Sequence, residues 1–386
     1  MKKIPYGKQS VTANDIDEVV AVLKSDFLTT GPKVRAFEEK VAKYHKAKYA
    51  VAFSNGTAAL HAAYHAAGIT DGDEIITSPI TFAASANAAV YCGARPVLAD
   101  IDLDTNCVDI GELECRMTEK TKVITPVSLA GYPVDLKAIR KIADRFHCRI
   151  IHDAAHAIGS RREGTFGMEY ADLAILSFHP VKHITTGEGG MVLTNDQELY
   201  DRLLLFRTHG ITKDPARMDR CDGPWYYEMQ SLGFNYRLSD IHAALGISQF
   251  DRINENLKKR NRIAKAYQEA FSGKTGLILP PGVGFDVIKD DDAENIHAYH
   301  LYTLRVADAD RRLDFYTYLH DNGILAQVHY IPLHLQPYYQ RRFGFRRGDF
   351  PKAEAYYDSE VSIPMYHGME ESDLEYVIDK ILSYEK

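Results

Sequence analysis

A lysine in an unusual setting is the first residue that could do chemistry. Lys182 lies in the run Ser177-Phe-His-Pro-Val-Lys182-His-Ile-Thr-Thr-Gly187-Glu-Gly189-Gly190, among small and apolar residues. A protonated amine is not a nucleophile, and burial among such residues lowers the pKa of a lysine. A lysine that has lost its proton can form a Schiff base with a carbonyl compound. Most lysines are solvated surface residues, but the flanking sequence favours a functional role here.

Three further features precede this lysine in a fixed order. Residues 54–60 (Ser-Asn-Gly-Thr-Ala-Ala-Leu) are typical of a turn from a strand into a helix, where backbone N–H groups and the Thr57 hydroxyl can bind a phosphate. Asp153 ends an apolar strand, where its carboxylate could pair with a pyridinium nitrogen. Ser177 ends the next strand. Each feature alone also fits an ordinary helix cap or strand end. Together, in this order, they indicate a site for pyridoxal phosphate, the usual carbonyl partner of such a lysine.

The elements that would position these residues alternate along the first 250 residues. The pattern predicts strands at 49–53, 74–78, 95–99, 122–127, 149–153, 173–178 and 190–194, and helices at 57–68, 82–92 and 136–146. Repeated strand–helix units indicate a mainly parallel sheet covered by helices on both faces. Ligands of such sheets bind beyond the carboxyl ends of the strands, where the features above would meet.

The rest of the chain predicts a second, smaller unit. Residues 212–230 are polar, contain two prolines and are typical of a long functional loop, and residues 239–272 look helical. After Pro280-Pro281-Gly282, the segments 298–306, 311–322 and 325–329 indicate an α+β domain. We therefore expect a large domain over 12–250 and a small domain over 251–386, with residues 1–11 packed on the small one.

Composition excludes several classes of protein. The 386 residues are 45% hydrophobic and 26% charged, as in a globular protein, and the net charge of −7 argues against a nucleic-acid-binding surface. The five cysteines form no CxxC pair, and His179 and His183 have no nearby carboxylate, so neither a disulfide framework nor a metal site is expected. Without an apolar leader or a membrane-length apolar run, a soluble, cytoplasmic protein is expected.

At this point the chain resembles the DegT/DnrJ/StrS family of nucleotide-sugar aminotransferases, which have the type I (aspartate aminotransferase-like) fold of pyridoxal-phosphate-dependent transferases. The resemblance runs from Tyr6 almost to the C-terminus. Its most specific marks are Phe27-Leu28-Thr29-Thr30-Gly31-Pro32, Gly56-Thr57-Ala58-Ala59-Leu60, Asp153-Ala-Ala-His156, Ser177-Phe-His-Pro-Val-Lys182 with Gly187-Glu-Gly-Gly190, and Gly233-Phe-Asn235-Tyr-Arg237-Leu. The family implies a large, mainly parallel-sheet domain followed by a smaller α+β domain.

The resemblance assigns the cofactor-binding residues. It implies that Lys182 carries pyridoxal 5′-phosphate and that Asp153 pairs with the ring nitrogen. It implies that Ser177 and the turn Gly56-Thr57-Ala58 bind the cofactor's phosphate. Phe82 is the aromatic residue that would stack on the ring.

Two more cofactor contacts follow from the same resemblance. His156 stands where many members have glutamine, near the phenolic oxygen of the cofactor, and a histidine can also donate a hydrogen bond there. Asn235 matches an asparagine that reaches the cofactor phosphate of the neighbouring subunit. A homodimer with shared active sites is therefore expected.

One branch of the family, the pseudaminic acid pathway aminotransferases, has the most similar substrate-binding positions. The matching residues are Tyr6, Asp26, Phe27, Leu28, Thr29, Gln327, Val328, His329 and Tyr330. Asp26 is a departure, because some members carry lysine there and a carboxylate does not favour a diphosphate. Arg237, or the basic residues of 341–347, could supply that positive charge instead.

The expected reaction is the transfer of an amino group from L-glutamate to C4 of a UDP-linked 4-keto-6-deoxy-N-acetylhexosamine. Lys182, released when the donor binds, would move a proton between the Cα of the donor and the C4′ carbon of the cofactor. Three alternatives remain open. An aminotransferase could act at C3 or C4 of another nucleotide ketosugar, for example a dTDP-linked one, or on a cyclitol ketone. A 3-dehydratase would replace the lysine with histidine, and a regulator or binding protein would not need it.

Overall fold

The computed structural model describes residues 2–282 and 293–385, and its central element is a seven-stranded β-sheet. After the short strand β1 (Ile4–Pro5), the strands of this sheet are β2 (Tyr49–Phe53), β3 (Glu74–Thr77), β4 (Arg95–Leu98), β5 (Thr121–Thr125), β6 (Arg149–Asp153), β7 (Leu173–Ser177) and β8 (Gly190–Thr194). Their order across the sheet is β2-β8-β7-β6-β5-β3-β4. The strands from β7 to β4 run parallel, whereas β8 is antiparallel to both neighbours. The predicted mainly parallel sheet is therefore confirmed.

Helices cover both faces of this sheet. The helices of the described chain are α1 (Ala13–Leu23), α2 (Pro32–Tyr44), α3 (Gly56–Ala66), α4 (Ala84–Tyr91), α5 (Ile110–Cys115), α6 (Leu136–Phe146), α7 (Gln197–Arg207), α8 (Asp240–Phe250), α9 (Ile253–Phe271), α10 (Arg312–Asp321), α11 (Pro337–Phe343), α12 (Pro351–Ser359) and α13 (Glu371–Tyr384). Ile75 of β3 packs with residues of α3 and α7, while the next residue, Ile76, packs with residues of α6. Since neighbouring side chains of a strand point to opposite faces, both faces are buried, which explains the continuous apolar runs in the sequence.

A second, smaller sheet lies in the C-terminal part of the chain. The antiparallel hairpin of β9 (Ile211–Thr212) and β10 (Glu228–Met229) comes before it. The small sheet contains β11 (Leu277–Ile278), β12 (Tyr302–Val306) and β14 (Glu360–Ile363), while β13 (Ile324–Leu325) pairs in parallel with β1. Ile4 also packs in the apolar cluster of this C-terminal sheet. Two separate sheets support the division at residue 250 and the packing of residues 1–11, both of which stay predictions.

Local differences from the sequence prediction have identifiable causes. The helix predicted over 239–272 is two helices, because the chain turns at Asp251 and Arg252, where Arg252 pairs at 2.8 Å with the buried Asp15. The loop predicted over 212–230 contains the ends of the hairpin. Strand pairing stops early around residue 325, so the segment 325–329 is not a regular strand. No helix in the described part of the chain is long and apolar enough to cross a membrane.

Candidate active site

A cavity of about 850 Å³ opens at the carboxyl ends of β6 and β7, beside the first turn of α3. Many of the residues singled out in the sequence line it, namely Tyr6, Gly56, Thr57, Ala58, Phe82, Asp153, His156, Ser177, Lys182, His329 and Tyr330. The fold explains why they meet, since the ends of adjacent parallel strands lie at one edge of the sheet. A cavity of this volume is within the usual range for cofactor and small-molecule sites.

Lys182 lies in the connection between the antiparallel strands β7 and β8. Its backbone N–H donates to the carbonyl of His179 (2.9 Å), which forms a turn that directs the side chain to the cavity. Burial lowers the pKa of Lys182 to about 7, against a smaller raising effect of Asp153 and with a further lowering effect of Arg260. Nζ lies 3.3 Å from Nε2 of His300. The amine is therefore substantially neutral near pH 7, as a nucleophile requires.

Asp153, 5% exposed at the end of β6, is the acid of the cavity. Its Oδ2 accepts a hydrogen bond from Ser85 Oγ (2.6 Å), and its Oδ1 accepts one from the N–H of Ala155 (3.1 Å). Burial raises the pKa of Asp153, an effect that these bonds and Lys182 partly offset. Within residues 2–282 and 293–385, no lysine, arginine or histidine forms an ion pair with it. A protonated ring nitrogen would supply the missing positive charge.

The first turn of α3 can hold an anion. The side chain of Asn55 caps the helix by accepting from the N–H of Ala58 (2.8 Å), and the N–H groups of Gly56 and Thr57 have no intrahelical acceptor. Ser177 is adjacent, since a Cβ on Gly56 would lie 3.3 Å from the Ser177 hydroxyl oxygen. N–H groups, a hydroxyl and the positive end of the helix dipole together suit a phosphate.

His156 is a neutral donor in this cavity. Its Nδ1 accepts from the N–H of Ala130 (3.3 Å), which leaves the proton on Nε2, 3.1 Å from the hydroxyl oxygen of Tyr330. Burial lowers the pKa of His156 well below its ordinary value. The ring of Phe82 is 59% exposed and lies 6.0 Å from the ring of Tyr330. A flat ring that binds in the cavity against Phe82 would have an aromatic face to stack on.

The remaining predicted residues lie outside the cavity of their own chain. They are Asp26, Phe27, Leu28, Thr29, Asn235, Arg237, Gln327 and Val328. Thr29 forms an isolated bridge with Ser239, and Asn235 forms one with Thr208, so the two segments run along one surface. Phe27 and Leu28 are 54% and 47% exposed. Within one chain, the structure does not bring these residues to the site.

Sequence reasoning missed several residues of the cavity. His300 precedes strand β12 in the C-terminal part of the chain, and nothing in its apolar neighbourhood signals contact with a lysine 118 residues away. Ser85 lies only three residues after Phe82 on the same segment, so its closeness to the predicted ring-stacking residue was an available signal. In the described residues there is no group of three or more histidine, cysteine or acidic side chains that could bind a metal.

The arrangement fits pyridoxal phosphate. Lys182 could hold the aldehyde, Asp153 the protonated ring nitrogen, Phe82 a face of the ring, and the first turn of α3 with Ser177 the phosphate. Three observations support this fit: the lowered pKa of Lys182, the burial of Asp153 without a basic partner, and the N–H groups of Gly56 and Thr57, which have no intrahelical acceptor.

Comparisons with known proteins give the same picture over the whole chain. A sequence model of the "DegT/DnrJ/EryC1/StrS aminotransferase family" matches residues 9–382. The spore coat polysaccharide biosynthesis protein SpsC of Bacillus subtilis is 39% identical over 382 residues, which cover 98% of this chain and 96% of that protein. A UDP-4-amino-4,6-dideoxy-N-acetyl-beta-L-altrosamine transaminase of Campylobacter jejuni is 36% identical over 383 residues, with 98% and 97% coverage.

Solved structures extend the similarity to the fold. Helicobacter pylori PseC, described as an aminotransferase in pseudaminic acid biosynthesis, superposes with a TM-score of 0.91 at 30% identity, over 99% of both chains. Other similar structures include the pyridoxal phosphate and pyridoxamine phosphate forms of one sugar aminotransferase from Streptococcus pneumoniae. The predicted type I fold is thereby confirmed.

Proposed function

This chain belongs to the DegT/DnrJ/EryC1/StrS aminotransferase family, and from that premise we propose that it transfers the amino group of L-glutamate to C4 of a UDP-linked 4-keto-6-deoxy-N-acetylhexosamine. The chain is a pyridoxal-phosphate-dependent sugar aminotransferase. The donor, the sugar and the position of transfer are the proposed part. One observation carries the proposal: Lys182 and Asp153 face one cavity that is also lined by Tyr6, His329 and Tyr330, the residues expected to bind the sugar.

The chain's own residues suit the two halves of a transamination. When bound, pyridoxal phosphate supplies the electron sink for a carbanion next to the transferred nitrogen. Lys182, whose pKa lies near 7, can take a proton from the carbon that bears the amino group and return a proton in the reverse direction. Burial makes an unpaired negative charge on Asp153 unfavourable and raises its pKa. A protonated ring nitrogen beside Asp153 supplies the compensating positive charge, so the carboxylate keeps that nitrogen protonated. Because one site serves both half-reactions, we expect ping-pong kinetics.

The assignment of the sugar rests on two kinds of support. Tyr6 and His329 lie together, with ring centroids 5.1 Å apart, at the wall of the cavity. The relatives from Campylobacter jejuni and Helicobacter pylori carry names that refer to pseudaminic-acid-type sugars. SpsC argues against this sugar, because it is named for a spore coat polysaccharide and its sequence identity to this chain, 39%, is higher than that of these two relatives. Transfer to C3 or C4 of another nucleotide ketosugar is therefore the second candidate.

We also propose a homodimer with shared sites. Phe27 and Leu28, which are exposed, and Asn235, which lies along the same surface, are separated from the cavity of their own chain. Trp225 (72%) and Leu232 (73%) add large exposed apolar surface in the segment just before Asn235. Apolar surface of this kind is typical of a subunit interface. Across such an interface Asn235 could reach the phosphate site at the first turn of α3 in the partner subunit.

The test starts from the visible spectrum of the purified protein. The lysine-bound cofactor is expected to absorb at roughly 410–430 nm, glutamate should abolish this band, and the correct ketosugar should restore it. A panel of UDP-linked and dTDP-linked 4-keto and 3-keto sugars then identifies the acceptor. Lys182→Ala, which should lack the band, is the control for its origin.

Each result has a defined meaning. Restoration by a UDP-linked 4-keto-6-deoxy-N-acetylhexosamine, with the 4-amino sugar as product, supports the proposal. Restoration only by a dTDP-linked or a 3-keto sugar overturns the proposed acceptor in favour of the second candidate. If glutamate leaves the band unchanged while another amine removes it, the proposed donor is wrong.

A further inference from the structure

A buried acid lies behind the sugar-binding wall of the cavity and is connected to it by hydrogen bonds. Glu360 has no exposed surface. Its Oε2 accepts from the backbone N–H of His329 (2.8 Å), and its Oε1 lies 2.5 Å from Oγ of Ser362. The same Oγ lies 2.9 Å from Nδ1 of His329. Glu360, Ser362 and His329 thus form a continuous chain from the interior to the cavity.

Strand register places these three residues together. Gln327 and Ser362 exchange two backbone hydrogen bonds (3.1 and 2.7 Å), which makes them an antiparallel pair. His329 lies two residues after Gln327, and Glu360 lies two residues before Ser362. In an antiparallel pair these two residues therefore lie beside each other, on the same face. The hydroxyl of Tyr356 donates to the carbonyl of His329 (3.1 Å) and fixes its backbone. The backbone pairing of Gln327 with Ser362 thus brings the side chains of Glu360 and Ser362 next to His329.

For a neutral ring of His329, two arrangements of protons give the hydroxyl hydrogen of Ser362 an acceptor among these three residues. Oε2 of Glu360 is an acceptor in both, because it faces a backbone N–H. If Oε1 carries a proton, it donates to Ser362, Ser362 donates to Nδ1, and the ring proton of the neutral His329 lies on Nε2. If Glu360 is ionised, Ser362 donates to Oε1 and accepts from Nδ1–H, so Nε2 is a bare acceptor. Within the described residues, Nε2 makes no hydrogen bond of its own, and His329 lines the cavity.

We propose that Glu360, acting through Ser362, sets the tautomer of His329 and so decides whether the sugar-binding wall presents a hydrogen-bond donor or an acceptor. The proposal rests on the proposed function, because it concerns the ketosugar that this wall would bind. Carbonyl and phosphate oxygens of a nucleotide ketosugar accept hydrogen bonds, so the donor form binds them and the acceptor form repels them. Glu360 is a positioning residue, since it acts on the substrate only through His329.

The surroundings of Glu360 favour the donor form at neutral pH. Burial raises the pKa of Glu360 to about 8, which the bonds from Ser362 and His329 and the charge of Arg312 only partly offset. Arg305 lies opposite Glu360 in the strand pair, but within the described residues neither arginine forms an ion pair with the carboxyl.

Lys182, whose charge lowers the pKa of His329, has a pKa lowered to about 7 and changes charge near neutral pH. The other titratable groups around Glu360, Ser362 and His329 keep one charge state. The phenols of Tyr330 and Tyr356 stay protonated because burial raises their pKa. Burial lowers the pKa of His329 to about 4, so its ring is neutral. As the pH rises, Lys182 loses its proton near pH 7, and Glu360 follows near pH 8, where its ionisation should switch the ring of His329 from donor to acceptor.

The test uses Glu360→Gln, which imitates the protonated acid. The N–H of His329 selects the amide oxygen of the glutamine, so the amide nitrogen faces Ser362 and donates to it. Nε2 of His329 should then keep its proton at every pH. In Ser362→Ala the chain is interrupted, and the tautomer of His329 should no longer depend on pH near 8. This second variant removes one hydroxyl and keeps Glu360 in place, so it tests the proposal even if Glu360→Gln does not fold.

The direct readout is the ring ¹⁵N chemical shift of His329 in histidine-labelled protein, recorded from pH 6.5 to 9.5. The chain has 16 histidines, and the signal is assigned by its loss in His329→Gln. In the wild type, the proton should move from Nε2 to Nδ1 near pH 8, and in both variants this movement should be absent. A tautomer that stays constant in the wild type, or a transition that persists in either variant, overturns the proposal.

A second readout follows the sugar. In the holoenzyme, KM for the ketosugar that restores the visible band should rise about tenfold between pH 7 and pH 9, as the protonated fraction of Glu360 falls, with a smaller change in kcat. In Glu360→Gln, KM should stay constant over this range. Equal pH dependence of KM in both proteins overturns the role in binding. Because the NMR titration needs neither cofactor nor sugar, failure of the proposed reaction and failure of this inference are distinguishable.

Discussion

Nζ of Lys182 lies 3.3 Å from Nε2 of His300, a residue that comes from the C-terminal part of the chain. Burial, with the nearby charge of Lys182, lowers the pKa of His300 well below its ordinary value, so the ring is neutral. A neutral ring nitrogen beside the amine can hold it in one orientation without adding a charge. The relationship makes His300 a positioning residue for the reactive lysine.

Replacing His300 should leave the amine of Lys182 less well oriented. We expect His300→Phe to lower kcat about threefold to tenfold, the value of one net hydrogen bond. His300→Gln, whose amide can reach the position of Nε2, should retain most of the activity. Steady-state kinetics of the two variants, with thermal unfolding as a control for folding, checks this prediction. Equal activity of Phe and Gln variants would contradict it.

Capture of the cofactor by the cofactor-free enzyme should depend on the charge of Lys182. Its pKa is lowered to about 7 by burial, so the neutral fraction rises steeply below pH 7 and levels off above it. An ordinary lysine, with a pKa of about 10.4, would be neutral in only about one molecule in 2,500 at pH 7. We expect the rate of cofactor capture, followed by its visible absorbance, to increase up to about pH 7 and then become constant.

The contrary result is also clear. A capture rate that continues to rise about tenfold per pH unit up to pH 9 would mean that the lysine has an ordinary pKa. A circular dichroism spectrum at each pH serves as the control for loss of structure.

Asp153→Asn should impair the reaction more than it impairs the fold. Ser85 and Ala155 donate to different oxygens of the carboxylate, and an amide offers only one oxygen, so one donor loses its acceptor. The expected cost in unfolding free energy is about 1–3 kcal/mol. Loss of the negative charge removes the partner of the ring nitrogen, and we expect kcat to fall about 100-fold or more. Activity and denaturant unfolding of the variant check both values. A fall in activity that only follows the unfolded fraction would contradict the assignment.

Gly190→Ala should disrupt the proposed phosphate site, which consists of the first turn of α3 and Ser177. A Cβ at this position would lie 2.5 Å from the carbonyl oxygen of Asn55 and 2.7 Å from the nitrogen of Gly56, so the backbone at the start of α3 must move. We expect weaker cofactor binding, measured by titration of the cofactor-free protein, and a stability loss of about 1–3 kcal/mol.

Gly368→Ala is the matched control for that variant. Its Cβ would meet Ser10 at 3.7 Å, an ordinary contact, and it lies away from the cavity residues. It should bind the cofactor like the wild type. If both variants bind equally well, the first turn of α3 is not the phosphate site.

A shared active site predicts complementation between two defective subunits. Asn235→Ala and Lys182→Ala should each be nearly inactive in the proposed homodimer. When the two proteins are mixed and allowed to exchange subunits, each hybrid dimer contains one site with both native residues. Half of the dimers are hybrids at equal amounts, so about a quarter of the wild-type activity should return. No recovery after demonstrated subunit exchange would show that Asn235 does not act across the interface.

Much of this site could be predicted from the sequence because its parts are local. Lys182 with its glycines, Asp153 at a strand end and the turn before α3 are each recognisable within a few residues. A parallel sheet then brings strand ends to one edge whatever the details of packing. The same reasoning located the strands well and the long α8–α9 segment less well, since the pairing of Arg252 with Asp15 leaves no local pattern.

Only the tertiary structure reveals the contacts that set the charge state and orientation of the site residues. The hydrogen bond between His156 and Tyr330, the approach of His300 to Lys182 and the hydrogen bond between Glu360 and His329 join residues 31 to 174 positions apart. Such contacts have no period and no spacing in the sequence, because they depend on how two sheets and their loops pack. The sequence by itself thus determined which residues can do the chemistry. Packing determined which of them are neutral, which are oriented and which remain at the surface, because charge state depends on burial and on neighbours brought in from distant segments.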